Sequence, residues 1–315
     1  MGIVGMGSIG RRHALCLKGL GVERIVALRS RRGSTDELAQ EFDFVDVVTH
    51  VDELIRAGPA GVLVCTPTAL HVSGALPLLQ RGIPVFVEKP VAARVQDAEA
   101  LHPHENLLVV AYCMRFHPMY AVIKSHIENG LIGTLWKASF RRSYYLPFWH
   151  PGADYRSEYT ARHDLGGGVI RTLSHGIDLM HYLLGEAVSV SGVTDRLSTL
   201  DLDVDDFAHF SCRLETGARA NFELDLFSPT NIEEGELVGE LGRLSFDLER
   251  WTFHALDGAD PVRGSVTDGI EIMYREQMAD FLAFVSGAPT RNCRLPGAIR
   301  VLEIIESVEA DRELA

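Results

Sequence analysis

Gly5-Met6-Gly7-Ser8-Ile9-Gly10 stands directly behind the apolar pair Ile3-Val4 and ahead of a helix-like stretch at residues 11–20. A Gly-x-Gly-x-x-Gly turn between a strand and a helix lets the backbone fold tightly and approach a pyrophosphate. The anion then rests on the helix N-terminus, where free N–H groups and the dipole favour it. The second chemical feature is Glu88-Lys89-Pro90, at the end of the apolar run 83–87. In a doubly wound sheet the strand ends open on the ligand crevice. A cofactor turn and a strand-end ammonium together suggest hydride chemistry at a carbonyl or hydroxyl. Alone, the glycine pattern is weak, and the lysine would be an ordinary surface residue.

The elements that must position these residues follow from the pattern. Short apolar runs at 2–4, 24–28, 45–48, 61–65, 85–87 and 107–110 alternate with helical stretches at 11–20, 35–41, 51–57, 70–81 and 95–101. Several runs are apolar throughout, as strands buried on both faces should be. This predicts an α/β fold with a doubly wound parallel sheet. After about Cys113 the pattern changes to strands at 135–145, 187–194, 206–214, 219–226, 232–238, 242–247 and 251–255. Helices are expected at 118–129, 168–184, 272–286 and 297–314. That predicts an α+β domain with a large, mostly antiparallel open sheet. The expected division is 1–113 for the cofactor and 114–315 for substrate and oligomer contacts, with ligand bound in the crevice between them.

Bulk properties bound the function. A chain of 315 residues exceeds what one core usually holds. The formal charge of −13 disfavours a nucleic-acid or anionic-membrane surface. No run of about 18 apolar residues predicts a membrane span, and no leader pattern is evident. The five cysteines are widely spaced without a Cys-x-x-Cys, which fits reduced thiols in a cytoplasmic protein. The end of the second strand reads Leu28-Arg29-Ser30-Arg31-Arg32, where an NAD site would carry an acid about 20 residues beyond the glycines. A carboxylate would repel a 2′-phosphate, whereas Ser30 and Arg31 would bind it. NADP(H) is therefore expected over NAD(H).

At this point the chain resembles the Gfo/Idh/MocA oxidoreductases, the glucose-fructose oxidoreductase and inositol dehydrogenase family. The matching segments are the glycine turn continued through Arg11-Arg12-His13, then Cys65-Thr66-Pro67-Thr68 to His71, and Val87-Glu88-Lys89-Pro90-Val91. Arg115-Phe116-His117-Pro118 and Gly166-Gly167-Gly168 through Ser174-His175 to Asp178 complete the set. They span residues 1 to about 185 in family order. The resemblance implies a Rossmann domain followed by an open-sheet domain, and a homodimer or homotetramer. It implies a nicotinamide cofactor held by Gly5, Gly7, Ser8, Ile9, Gly10, Thr66, Pro67, His71, Glu88 and Lys89, and a carbohydrate-type substrate. Lys89 is the implied catalytic cation, before a Lys-Pro bond that is often cis in the family. His175 is the expected general acid/base, because an imidazole exchanges protons near neutral pH. The glycines before it would let backbone approach the ligand closely, and Asp178 would orient it or cap a local network. His175, Asp178 and His181 lie at spacings of three, but three ligands without a fourth do not suggest a metal.

One departure stands out. Many relatives carry an Asp four residues before the catalytic His, whereas this chain has Arg171, followed by Thr172. His175 would then work without an acid, or borrow one such as Asp164. The departure leaves open an inactive cofactor-binding regulator, or a glycosidase that oxidises transiently. On the substrate side, Tyr155, Arg156 and His163 are candidates in or near an aromatic segment at 144–159 that suits sugar rings, with Thr172 before His175, and Arg115 and His117 just after the last strand of the first sheet, where a substrate role and a structural hinge are both open.

Overall fold

The computed structural model describes residues 1–29, 42–150 and 152–310. The chain divides into two compact units. One holds residues 1–113 and 273–299; the other holds 114–272 and the segment from Arg300.

The first unit is built on a seven-stranded sheet in the order β15-β6-β5-β4-β1-β2-β3. Its strands are β1 (Gly2–Val4), β2 (Ile25–Leu28), β3 (Val45–Val48), β4 (Val62–Val64), β5 (Val85–Val87), β6 (Leu108–Val110) and β15 (Cys293–Arg294). All neighbours run parallel except β15, which lies antiparallel on β6. β4, β5 and β6 are buried at every position, as their unbroken apolar sequence requires of strands covered on both faces. The helices include α1 (Ser8–Gly19), α2 (Val51–Arg56) and α3 (His71–Leu79). Ile3, Leu63, Phe86 and Val109 from the sheet meet Leu17 of α1 and Met278 and Phe281 from the returning segment in one core. The helix expected at 35–41 lies outside the described residues.

The second unit carries an eight-stranded sheet, β14-β13-β12-β11-β7-β10-β9-β8, in which only β7 and β10 pair in parallel. Its strands are β7 (Leu135–Tyr145), β8 (Ala187–Asp195), β9 (Phe207–Leu214), β10 (Arg219–Asp225), β11 (Phe227–Gly239), β12 (Gly242–Phe246), β13 (Arg250–Ala255) and β14 (Val262–Ser265). Two helices of this unit matter below, α4 (Pro118–Glu128) and α5 (His175–Leu184). Phe140, Phe222 and Phe210 stack across three adjacent strands, with centroids 5.3 and 4.5 Å apart. Cross-strand aromatic pairs of this kind fix the register of a sheet.

Two later helices run at α6 (Gly269–Val285) and α7 (Leu295–Ala310). The single helix expected over 168–184 is broken: a short turn at Val169–Thr172 ends, and α5 begins at His175 behind Ser174. The break places His175 at the first position of a helix, with Asp178 in its first turn, where an acid suits the dipole.

Candidate active site

In the first unit, the glycine turn has the shape a phosphate needs. Gly5 sits at φ +93°, and a Cβ there would come within 2.8 Å of the Cys65 carbonyl oxygen. A Cβ on Gly10 would lie 2.1 Å from the Gly5 carbonyl oxygen. Gly7 caps α1 with open space around it, Ser8 is exposed at the first helical position, and Ile9 is half-buried. The first-turn amides of α1 thus face outward from a cradle that side chains would fill. Thr66 Oγ1 is buried and has no hydrogen-bond partner among the described residues. The close backbone approaches at Gly5 and Gly10 leave no room for side chains, as the sequence expectation of a dinucleotide at Gly5, Gly7, Ser8, Ile9 and Gly10 requires. Gly10→Ala should therefore abolish measurable cofactor binding, because backbone meets the new methyl and only a rebuilt turn relieves the clash. Wild-type NADH affinity in that variant, read by calorimetry, would contradict the assignment.

The lysine turn closes the same end of the sheet. Lys89 follows β5 by two residues, is half-buried, and its bond to Pro90 is cis. Glu88 Oε2 accepts from the Lys89 backbone N–H at 3.4 Å, and Glu88 Oε1 lies 2.8 Å from His13 Nε2. His71 is almost wholly buried. Its Nδ1 is 2.7 Å from the Pro90 carbonyl oxygen and its Nε2 is 2.8 Å from that of Thr66. Burial pulls the His71 pKa down, against the two carbonyls and Glu88, which pull it up. The His71 ring acts as a brace: both nitrogens face backbone of the Thr66-Pro67 and Pro90 turns. Ser30 and Arg31 lie outside the described residues. Arg29, beside them, donates its backbone N–H to the Val48 carbonyl.

In the second unit, α5 presents His175, 8% exposed, and Asp178, 1% exposed, at helical spacing. The carboxylate of Asp178 does not turn to His175. Both its oxygens take the guanidinium of Arg115, Nε to Oδ2 at 2.8 Å and Nη2 to Oδ1 at 2.6 Å. Arg115 also lies over the Tyr182 ring at 5.2 Å, one helical turn beyond Asp178. Arg115 is thus an anchored cation on the face that carries His175. Arg171, in the place of the expected acid, is bound bidentately by Glu309 at 2.9 and 2.6 Å. Asp164 is paired with Arg162 at 2.9 and 2.6 Å on the surface. The glycines before His175 have an internal reason as well. A Cβ on Gly167 would lie 2.1 Å from the Tyr159 carbonyl oxygen, so the chain needs glycine against its own backbone.

The other substrate candidates are not brought together. His117 is buried and caps α4, its Nδ1 accepting from Met119 N–H at 3.2 Å. Burial lowers its pKa from 6.5 to about 4. Between those two values the unfolded imidazole takes up a proton that the folded one refuses, so stability falls as pH drops from 6.5 to 4 and is unaffected by this group below. His117→Asn keeps a capping oxygen and removes the titration. Denaturant melts at pH 7 and pH 4.5 should show the variant losing less stability than wild type, by on the order of 2 kcal/mol. Equal losses would contradict the burial account. Arg156 is exposed and paired with Asp154 at 2.8 Å, and Tyr155 Oη accepts from Asp201 N–H at 3.1 Å. The His163 backbone N–H donates to Asp203 at 2.6 Å, and Thr172 is buried.

Sequence reasoning missed one further cluster in this unit. Tyr144 Oη donates to Glu233 at 2.7 Å, and Arg142 Nη2 reaches both, at 3.3 Å to the phenol and 3.1 Å to the carboxylate. Burial pushes the Tyr144 phenol up to about 12, opposed by Arg142 and reinforced by Glu233. The alternation of β7 puts residues 142 and 144 on one face; only the partner on β11 was invisible. Among the described residues, no helix is long and apolar enough to cross a membrane.

A Rossmann-type sheet with a phosphate cradle, joined in one chain to a large open sheet, defines a nicotinamide-dependent oxidoreductase. Residues 1–110 match the family model for the oxidoreductase family with an NAD-binding Rossmann fold, and residues 120–245 match the GFO/IDH/MocA C-terminal domain. The chain belongs to the GFO/IDH/MocA family of oxidoreductases. It is 30% identical over 279 residues to inositol 2-dehydrogenase 1 of Saccharopolyspora erythraea, covering 83% of this chain and 78% of that one. It is 27% identical over 293 residues to levoglucosan dehydrogenase of Pseudarthrobacter phenanthrenivorans, covering 79% and 74%. A solved structure of levoglucosan dehydrogenase with NADH and levoglucosan superposes with a TM-score of 0.86 at 21% identity, covering 98% of this chain and 96% of that one. That likeness establishes the shared fold.

Proposed function

We propose that this oxidoreductase transfers a hydride between a nicotinamide cofactor and a secondary hydroxyl of a cyclic polyol or anhydro-sugar. The observation that carries the reading is Lys89, held at the end of β5 in a turn braced by His71 and Glu88, next to a cradle shaped for a dinucleotide. The cofactor, when bound, supplies the hydride acceptor or donor. Lys89 places its ammonium beside the reacting oxygen and stabilises the negative charge that grows there. His175 takes the hydroxyl proton during oxidation and returns it in reduction. Arg115, fixed by Asp178, orients the substrate through hydrogen bonds to its other oxygens. The inositol and levoglucosan dehydrogenases named above support the substrate class.

In this reading the first unit holds the cofactor, while the second binds substrate and associates as a homodimer or homotetramer in the cytoplasm. Ser30 and Arg31 favour NADP(H), since no acid stands there to repel a 2′-phosphate. Calorimetry with NADPH and NADH at one fixed salt concentration tests the cofactor preference, with tighter NADPH binding expected and equal or weaker binding against it. A panel of myo-inositol, scyllo-inositol and levoglucosan with NADP⁺ and NAD⁺ tests the reaction. Turnover of at least one is expected, and none would count against the substrate class.

A further inference from the structure

Among the groups around the lysine turn, His13 has the most constrained surroundings. It is fully buried in α1, with ring-edge contacts to Phe86 at 5.4 Å and Tyr274 at 6.0 Å between centroids. Its Nε2 lies 2.8 Å from Glu88 Oε1. A carboxylate only accepts, so the proton is on Nε2. Its Nδ1 is buried and has no hydrogen-bond partner among the described residues. The ring thus aims its Nε2–H donor at one acceptor. Cys65 Sγ lies within 4.8 Å of the same His13 and Glu88 atoms, but burial and the Glu88 charge raise the thiol pKa well above its usual value, keeping it protonated.

That hydrogen bond reaches the lysine turn. The other oxygen of Glu88 receives the Lys89 backbone N–H, and His71 holds the far side of the turn at Pro90. The helix that starts at the glycine turn thus also carries a donor to the residue beside Lys89. We infer that His13 is a positioning residue: it fixes the Glu88 carboxylate and, through it, the backbone at Lys89, tying the lysine's placement to the helix on which the dinucleotide phosphates rest. The inference rests on the reading of Lys89 as the catalytic cation.

The test compares full-length wild type with His13→Phe, which keeps a ring in the same packing but removes the donor, and His13→Gln, which restores a donor at similar reach. Amide hydrogen exchange on the peptide covering residues 85–95 needs no substrate. Exchange at the Lys89 amide should be about tenfold faster in His13→Phe and near wild type in His13→Gln, the scale of one lost hydrogen bond to a charged group. With the best polyol of the panel, kcat should fall about tenfold or more in His13→Phe while KM for the cofactor stays within about threefold, and His13→Gln should recover kcat. If His13→Phe does not fold, His13→Asn, whose shorter amide falls short of Glu88, takes its place. Wild-type exchange and kcat in the Phe variant would overturn the inference, as would a Gln variant no better than the Phe one. Lys89→Ala, measured alongside, separates the two failures. An active Lys89→Ala removes the underlying reading, whereas an inert Lys89→Ala beside a fully active His13→Phe removes the role of His13 alone.

Discussion

Lys89→Ala should lose at least about 10²-fold in kcat while still binding NAD(P)H, the scale seen when one preorganised donor to a developing oxyanion is removed. The expectation follows from placement. β5 is buried on every side, so its end is rigid. The backbone on either side of Lys89 is tied down, by Glu88 before it and by the His71 contact to Pro90 after it. A rigid backbone limits the volume that a lysine ammonium samples, and a fixed charge needs no rearrangement as the reaction proceeds. Alanine leaves these anchors intact, because none of them uses the lysine side chain. Cofactor affinity measured by calorimetry should therefore change little, while steady-state turnover collapses. Unchanged turnover would remove Lys89 from the mechanism.

Asp178→Ala should destabilise the fold by about 3–5 kcal/mol, the cost of leaving a largely buried charge without its partner. The Arg115 side chain is 15% exposed and that of Asp178 is 1% exposed. With the carboxylate gone, the guanidinium stays beside the Tyr182 ring, which also carries the Lys124 ammonium at 4.8 Å. Two cations would then share one ring with no anion at the site of Asp178. Replacing both members of the pair, as in Arg115→Met with Asp178→Leu, should recover much of the loss, because the uncompensated charge goes with the carboxylate. Urea unfolding of the single and double variants checks this. A single variant within 1 kcal/mol of wild type would show that solvent reaches the guanidinium freely.

What was legible in the sequence was local. β1, α1 and the glycine turn between them are neighbours in the chain, and each constrains the next within a few residues. The parallel sheet was legible because strands buried on both faces must be apolar throughout. β14 was missed because Val262-Arg263-Gly264-Ser265 has no apolar run, and β15 because two residues leave no pattern. The break before His175 was missed because the apolar spacing continues across it.

The placement of a residue at one strand end was legible, as for Lys89 just beyond β5. Placement was not legible where it depends on pairing between distant segments. Asp178 sits in the helix of His175, and the sequence left open whether it orients that ring or joins a local network; Arg115 from the start of the second unit takes both oxygens. The same holds for Arg171 with Glu309, and for Arg142 with Glu233. A charged residue shows in sequence that it needs a partner, but not which one. His117, open between a substrate role and a structural hinge in the sequence, caps the helix that follows it.

The central claim is that hydride passes directly between substrate carbon and cofactor. It is tested most directly with a cyclic polyol of the panel carrying deuterium at the carbon that bears the reacting hydroxyl, incubated with enzyme and oxidised cofactor. Mass spectrometry of the reduced cofactor should show one deuterium gained per substrate oxidised. Reduced cofactor without deuterium, or no reduction with any polyol, would contradict the account.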